Sequence, residues 1–513
     1  MTTTLVTEPA AAAHADHERD TASASVVALA LFEARQLLLQ IPLLVFGLLF
    51  LAYVGYGLFG QDEGMDAYPV LHDVDRTTQG APELFAVALL VCVHRATMLN
   101  RRRGLEEQFG VLPLSPARRT LAHALSVVPF AVGMAVLVDV QFAWSALRPG
   151  AVGHGSLFEL AVAPLTVLLA GALGVLLARV LPHPAAPLVF LLALGLVTSA
   201  VPGGAGTHAV HWLWPVVLEN GGTPVPGELL GRPAGWHALY LVGLTVLLVC
   251  AAMWVAGGRA RVLKAATAVA LAAAVAGVAG QSPGDSAGLQ AARKAEADHP
   301  AKFQTCVERD GSRYCAYPDW KGWTVDWAGV VHRVRSEAAG PQATTRLTVR
   351  QRIQEITDLT ADATLPTSST PGTVTVGTQW GGNRVPEFAV GVARVLVAGS
   401  EHASLDMCDA RVVTTMWLAL ADDPTPTATF RHLRIDDSLS GPAAVLTSDG
   451  GSMSVSAQQT EVVRELLREP HDTVAARVKS HWQQLVSAHT TTAEAARLLG
   501  VRVPKGPDDC PAG

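Results

Sequence analysis

Residues 82–104 read PELFAVALLVCVHRATMLNRRRG, an apolar run that ends in three consecutive arginines. A helix needs about 20 mostly apolar residues to cross roughly 30 Å of hydrocarbon. Loops rich in lysine and arginine favour the cytoplasmic side of a membrane. The stretch therefore predicts a transmembrane helix that ends in the cytoplasm.

Similar apolar runs on both sides of this stretch predict a polytopic membrane protein. Seven spans are expected: Ile41–Phe59, Pro82–Thr97, Leu121–Leu147, Leu157–Leu181, Ala186–Val201, Trp236–Val255 and Val262–Gly280. The fifth run is short, and the seventh is rich in alanine, which favours insertion less than leucine does. Before the first span, the polar residues around Glu33 and Gln40 predict a separate interfacial helix, Val26–Gln40, with one long tilted helix as the alternative.

The composition divides the chain into unlike units. Half of the 513 residues are hydrophobic and the mean hydropathy is +0.30, which is too apolar for one soluble domain. Charges are sparse up to residue 280 and scattered after it. We expect a disordered cytoplasmic tail (1–25), a six-span membrane domain (26–258), a seventh span (259–280) and a mainly α, minor β domain (281–513). The net charge of −6 does not indicate nucleic-acid binding.

The basic residues predict the orientation of the spans. One set of loops carries Arg101, Arg102, Arg103, Arg118, Arg119, Arg259 and Arg261, with Arg95 and Arg179 at the ends of spans two and four. The opposite loops carry only Arg76, Arg148 and Arg232, and the first of them is acidic. By the positive-inside rule the N-terminus is cytoplasmic and the C-terminal domain lies outside the cell membrane.

Four cysteines in the C-terminal domain agree with that orientation. An even number, Cys306, Cys315, Cys408 and Cys510, suits disulfides in an oxidising compartment. Of the three pairings we favour Cys306–Cys315, across a turn at Asp310-Gly311, with Cys408–Cys510. A zinc site is the alternative, but no paired Cys or His spacing supports it, so no metal is expected.

The loop between spans two and three predicts a short helix at the cytoplasmic face. Leu105, Phe109 and Leu112 stand at i, i+4 and i+7, which places them on one side of a helix. Glu106 and Glu107 occupy its first turn, where the helix dipole favours negative charge. An apolar stripe of this kind suits docking into a groove of a partner. The alternative is an ordinary interfacial helix that covers lipid-facing surface.

The residues that follow predict how the loop ends. Pro113 stops the short helix, and Ser115 and Pro116 are suited to the N-cap and first position of the next one, which continues into span three.

This loop and the six-span core resemble the permease subunits of ABC-2-type exporters. The residues that carry the resemblance are Arg103-Gly104, Glu106-Glu107, Leu112-Pro113, Ser115 and Arg118-Arg119, and it covers about residues 26–258. It implies that the stripe helix, Leu105–Pro113, transmits ATP-driven motion from a separate ABC ATPase, in a dimer with an identical or different permease. The expected substrate is amphipathic or lipid-like.

The extra span and external domain depart from the family's common pattern. They are similar to actinobacterial permeases in which Cys-x-x-x-Asp-Gly…Cys-x-Tyr-Pro and a late His-Trp-x-x-Leu helix recur; here these are Cys306–Pro318 and His481–Leu485. No G-x-x-x-x-G-K-[ST] occurs, so the sequence predicts no catalytic activity or bound cofactor of its own, with ATP held by the partner.

Other functions stay open at this stage. Asp139 in span three is a candidate for a translocation path, because intramembrane charge is costly. A membrane-anchored sensor or assembly factor whose external domain binds a ligand or envelope partner is the alternative to transport. An external hydrolase is disfavoured by the lack of H-E-x-x-H, G-x-S-x-G and S-x-x-K. A carbohydrate-binding surface is one interpretation of Asp319, Trp320, Trp323 and Trp327, but we prefer a tryptophan-rich core edge.

Overall fold

The computed structural model describes residues 9–60, 63–102, 114–200, 211–217, 224–353 and 365–505. In the membrane half of this described part, the α-helices are α1 (Pro9–Leu38), α2 (Ile41–Phe59), α3 (Leu71–Thr77), α4 (Gly80–Arg102), α5 (Pro116–Leu125), α6 (Val128–Ala146), α7 (Leu157–Val180), α8 (Ala186–Ala200), α9 (Ala234–Val255) and α10 (Arg261–Gln281). Short 3₁₀ turns occupy Gly64–Ala67 and Gly227–Leu229.

Six helical stretches within this part are long and apolar enough to cross a membrane. They are Ile41–Phe59, Leu71–Met98, Pro116–Ala146, Leu157–Val180, Ala234–Val255 and Arg261–Gln281. They correspond to six of the seven predicted spans. The fifth predicted span, Ala186–Val201, corresponds to α8, whose 15 residues make a helix only about 22 Å long.

The first membrane-length helix is separate from the helix before it. Gln40 has an extended backbone and caps α2, and Pro42 occupies its first turn. This break confirms two helices rather than one long tilted helix. α1 begins at Pro9, within the segment that the sequence predicts to be a disordered tail. Its buried residues Val26 and Ala30 pack against Ala122 of α5.

Glycines let the membrane helices pack closely. A Cβ built on Gly174 of α7 would lie 2.7 Å from the carbonyl oxygen of Leu90 on α4. A Cβ on Gly277 of α10 would lie 2.6 Å from the backbone nitrogen of Tyr240 on α9. Both contacts require glycine, because real Cβ atoms do not approach backbone atoms so closely. Small residues at such crossings are typical of membrane helix packing.

The C-terminal domain mixes helices with two small sheets. Its elements are α11 (Ala287–Asp298), β1 (Thr305–Arg309), β2 (Ser312–Ala316), α12 (Thr324–Glu337), β3 (Thr348–Gln351), β4 (Thr373–Val376), α13 (Arg384–Ala398), α14 (Ala410–Leu420), α15 (Pro426–Leu433), β5 (Ala443–Leu446), β6 (Ser452–Val455), α16 (Ala457–Leu466), α17 (His471–Ser480), α18 (Trp482–Leu485) and α19 (Thr492–Leu499). Short 3₁₀ turns lie at Pro300–Lys302, Pro318–Trp323, Gly340–Thr344 and His402–Ser404.

The larger sheet has the order β1-β2-β3-β4. The β1–β2 hairpin is antiparallel, whereas β2–β3 and β3–β4 are parallel. α12 makes the crossover from β2 to β3, and α13 and α14 continue the core with largely buried side chains. β5 and β6 form a second, antiparallel hairpin.

The cysteine predictions are confirmed for the first pair. Cys306 and Cys315 face each other in the β1–β2 register and form a disulfide. The hairpin turns at Asp310 and Gly311, both at positive φ, which is the conformation that Asp-Gly favours in a two-residue turn. Cys408 is also disulfide-bonded. Cys510 lies outside the described residues, so the Cys408–Cys510 pairing stays a prediction.

Loops from the membrane half take part in the core of the C-terminal domain. Val70, Val152, Val225 and Leu229, which lie before or after the membrane helices, are buried in the same cluster as the domain's tryptophans. Val70 and Val152 also form a parallel backbone bridge. The domain is therefore packed directly on the membrane half rather than tethered to it.

Candidate functional site

The residues that the sequence singled out lie in different places. The predicted coupling helix, Leu105–Pro113 with its stripe and both glutamates, lies outside the described residues. Ser115 is confirmed as an N-cap, since its side chain accepts a hydrogen bond from the Arg118 nitrogen at 3.4 Å. Asp139 lies on the exposed surface of α6.

A buried ion pair lies where α3 meets the start of α7. Nη1 of Arg76 is 2.9 Å from Oε2 of Glu159, and both side chains are almost fully buried. Gln79 donates to the same oxygen at 2.6 Å and to the Glu159 carbonyl at 3.0 Å. A buried carboxylate needs such partners because its desolvation costs several kcal/mol.

The polar contacts continue across α9 and α10. The Arg76 guanidinium lies 5.2 Å from the ring centre of Trp212, in cation–π geometry. Nδ1 of His237 lies 3.1 Å from Oε1 of Gln281, and its Nε2 lies 3.1 Å from the Pro215 carbonyl. Gln281 donates to the Trp212 carbonyl at 2.7 Å.

A second arginine joins the α3 region to the start of α9. Arg232 lies 3.6 Å from a carboxylate oxygen of Asp73 and 3.9 Å from one of Asp75, and it donates to the His72 carbonyl. Asp75 in turn accepts from the Ser156 nitrogen at 2.8 Å. Polar contacts between distant parts of the chain thus connect the ends of four helices, α3, α7, α9 and α10.

The C-terminal domain docks on this region through its 318–323 turn. Trp323 donates from Nε1 to the Gly150 carbonyl at 2.7 Å. The Asp319 carbonyl accepts from the Gly153 nitrogen at 3.1 Å, and its carboxylate accepts from the Gly227 nitrogen at 3.1 Å. Each bond joins the domain to a membrane-half loop, so the two halves share one hydrogen-bonded junction.

The tryptophans are core residues. Trp320, Trp323 and Trp327 are at most 1% exposed, and the Trp320 ring contacts that of His72 in an edge-on arrangement at 5.6 Å. Their burial confirms the core-edge interpretation and is incompatible with a carbohydrate-binding surface formed by these three rings.

A cavity of about 560 Å³ opens at the junction. We call it the junction cavity. It lies between α2, α3, the end of α6 and the C-terminal domain. Residues that line it include Tyr53, Tyr56, Asp66, Tyr68, Asp73, Gln141, Arg148, Trp323 and Trp380. Aromatic and apolar walls with a few polar groups are typical of small-molecule sites.

One carboxyl group near the junction has an unusual proton affinity. Burial raises the pKa of Glu296 on α11 to about 7, and the nearby carboxylates of Glu228 and Asp319 raise it further. Its backbone carbonyl accepts from the Tyr317 hydroxyl at 3.0 Å. Within the residues that the structure covers, no group of three or more His, Cys, Asp or Glu side chains is placed to hold a metal ion.

Sequence reasoning missed the partners of these groups. Arg76 and Arg232 entered only as loop charges for the orientation, yet both side chains are at most 10% exposed and bind carboxylates. The sequence offered one indication of these ion pairs: arginines are few in these loops, and they occur near several acidic residues.

Searches against family models, curated proteins and solved structures found no match to this chain.

Proposed function

We propose that the chain is the membrane-spanning permease subunit of an ABC-2-type exporter, driven by ATP hydrolysis on a separate ABC ATPase. The observation that carries the proposal is the position of α5. This helix begins at Pro116, directly after the predicted coupling segment, and Ala122 packs with Val26 and Ala30 of α1. A force on that segment would therefore reach α5 first and α1 with it.

The contacts of α5 suggest how the motion would spread. The Cβ position on Gly258, after α9, lies 3.3 Å from the Cβ of Ala117. His123 lies 3.8 Å from the Glu33 carboxylate of α1. Packed helices move as units because their interfaces are close-packed. ATP-driven closure of the partner would thus reorient several spans together, in a dimer with an identical or a second permease.

The proposed orientation places the N-terminus in the cytoplasm and the C-terminal domain outside the cell membrane. The loops around Val70, Val152 and Val225 pack with the C-terminal domain, so they lie on its side of the spans. The arginine-rich loops belong to the other side, which the positive-inside rule assigns to the cytoplasm. A disulfide in the domain supports an oxidising compartment. In this orientation α8 would cross between the cytoplasmic and the outer side as a short helix.

The test is capture of an ABC ATPase from gently solubilised membranes, with Phe109→Glu compared with wild type. We expect wild type to co-purify with an ATPase and the variant to lose it, because a charge on the apolar stripe opposes docking. Gln108→Glu is the matched control, since it adds the same charge one residue away, off the stripe. No ATPase with wild type, or equal recovery in all three samples, would contradict the proposal.

A ligand sensor or assembly factor is the second candidate, and the junction cavity favours it. Its walls come from both halves of the chain, so a ligand there would change how the external domain sits on the spans. For a sensor, Phe109→Glu would leave function intact.

A further inference from the structure

Aromatic rings that line the junction cavity pack against other aromatic rings of the protein. Trp380 contacts the Phe388 ring at 5.4 Å and the Trp327 ring at 6.3 Å, both edge-on. Trp323 is 1% exposed and contacts Tyr68 edge-on at 6.2 Å. Preformed aromatic walls lower the entropy that a ligand site loses on binding.

The opposite wall belongs to α2, which is the least covered of the membrane-length helices. Only 17% of its span is buried, and Tyr53 and Tyr56 are 49% and 63% exposed. Leu48 and Leu49, one to two turns earlier on the helix, are also exposed. The cavity is therefore continuous with an apolar helix surface, which gives a hydrocarbon chain a path along α2.

The charged side chains described in and behind the cavity wall carry a small negative excess, with Asp66, Asp73 and Asp75 against Arg148 and Arg232. Asp66 and Asp73 line it beside Arg148, whose guanidinium donates to the Asp66 and Gly57 carbonyls. Arg232 behind Asp73 is shared with Asp75. Among these described residues carboxylates thus outnumber guanidinium groups by one.

Aromatic faces next to carboxylates attract cations, because the ring quadrupole and the negative charge act in the same direction. An anionic head group would meet Asp66 and Asp73 as well as Arg148, so the excess of carboxylates in the wall favours a cation.

We propose that the junction cavity binds a cationic amphiphile, with its ammonium head among Tyr56, Tyr68 and Asp66 and its apolar chain along α2. The inference rests on the proposed function only in calling this ligand a substrate for export; the binding site itself needs this chain alone.

The test is calorimetric titration of the full chain in nanodiscs of zwitterionic lipid, with empty nanodiscs subtracted. The probe is octyltrimethylammonium, and octyl sulfate has the same chain with the opposite charge. We expect saturable binding of the ammonium and at least about fivefold weaker binding of the sulfate, as cation–π attraction at partly desolvated sites implies.

Two variants and two matched controls locate the site. Asp66→Asn and Tyr56→Ala should each weaken ammonium binding by roughly threefold or more. Glu63→Gln lies in the same acidic loop, and Phe59→Ala lies at the same end of α2, but neither residue lines the cavity. All four side chains are exposed, so folding should persist in each, as gel filtration would check.

The outcomes separate this inference from the transport proposal. Equal binding of the two probes, or equal weakening in all four variants, would overturn the cationic site even if the ATPase is captured. Ammonium binding with the expected variant pattern supports the site, and if no ATPase is captured the same site belongs to a sensor.

Discussion

At the residue scale, the important side chains are charged groups buried against partners far away in sequence. Glu159 meets Arg76 and Gln79 from 83 and 80 residues away. Within the C-terminal domain, Arg394 likewise binds Asp449 at 2.7 Å. Burying one of these charges without its partner would cost several kcal/mol of desolvation free energy. Each charged group is therefore fixed in one position by the groups that bind it.

Glu159→Gln should destabilise the protein by about 3–5 kcal/mol, because it leaves the Arg76 charge buried without its counter-ion. The measurement is thermal unfolding of the solubilised protein by circular dichroism. Glu63→Gln is the control and should change stability by less than about 0.5 kcal/mol, since Glu63 is exposed in the loop after α2, outside the membrane-length helices. Similar unfolding midpoints for the two variants would show that the Arg76–Glu159 pair contributes little.

Glu296 should make stability depend on pH near neutrality. Because its pKa is raised from 4.5 to about 7 in the folded protein, the folded state holds this proton more tightly than the unfolded chain does. Its stabilising contribution is complete below pH 4.5 and is lost as the pH rises through about 7. Glu296→Gln should remove this part of the pH profile and unfold at a higher temperature than wild type at pH 8. Parallel profiles for the two proteins would contradict the assignment.

At the scale of the elements, local sequence explains where several of the helices begin. Thr491 and Glu494 form a capping box at α19, and Ser456 with Gln459 does the same at α16. The break before α6 falls just before Pro129, which occupies its first turn. How the helices pack depends instead on glycines at the crossings.

Gly174→Ala should destabilise the membrane half by about 1–3 kcal/mol, because the new methyl group would force α7 away from Leu90. The control is Gly133→Ala, where no heavy atom lies within 4 Å of the added Cβ; alanine favours helix there. Unfolding midpoints of the two variants check this. An equal effect at both sites would exclude the close approach of α4 and α7.

At the scale of the whole molecule, the C-terminal domain and the membrane half share one core. Val70, Val152 and Leu229 contribute apolar surface from loops between membrane helices to the cluster around Trp320 and Trp323. The junction cavity exists only because both halves contribute walls to it.

The isolated domain, residues 282–513, should therefore be less stable than the same domain in the full chain. Removing the membrane half would expose the apolar surface that covers Val70 and its neighbours, and exposed patches of this kind promote aggregation. The measurement is thermal unfolding and dye binding of the secreted domain. A monomer that unfolds cooperatively at the temperature of the full chain would contradict the shared core.

The sequence by itself determined the features that depend on neighbouring residues. Apolar length predicted seven spans, six of which are membrane-length helices in the structure, and Asp310-Gly311 predicted the Cys306–Cys315 hairpin. The tertiary structure alone decided the partner of Arg76, the site of Arg232 and the existence of the junction cavity. These depend on which loops meet in space, and pairing across 80 residues or more leaves no periodic or local pattern in the sequence.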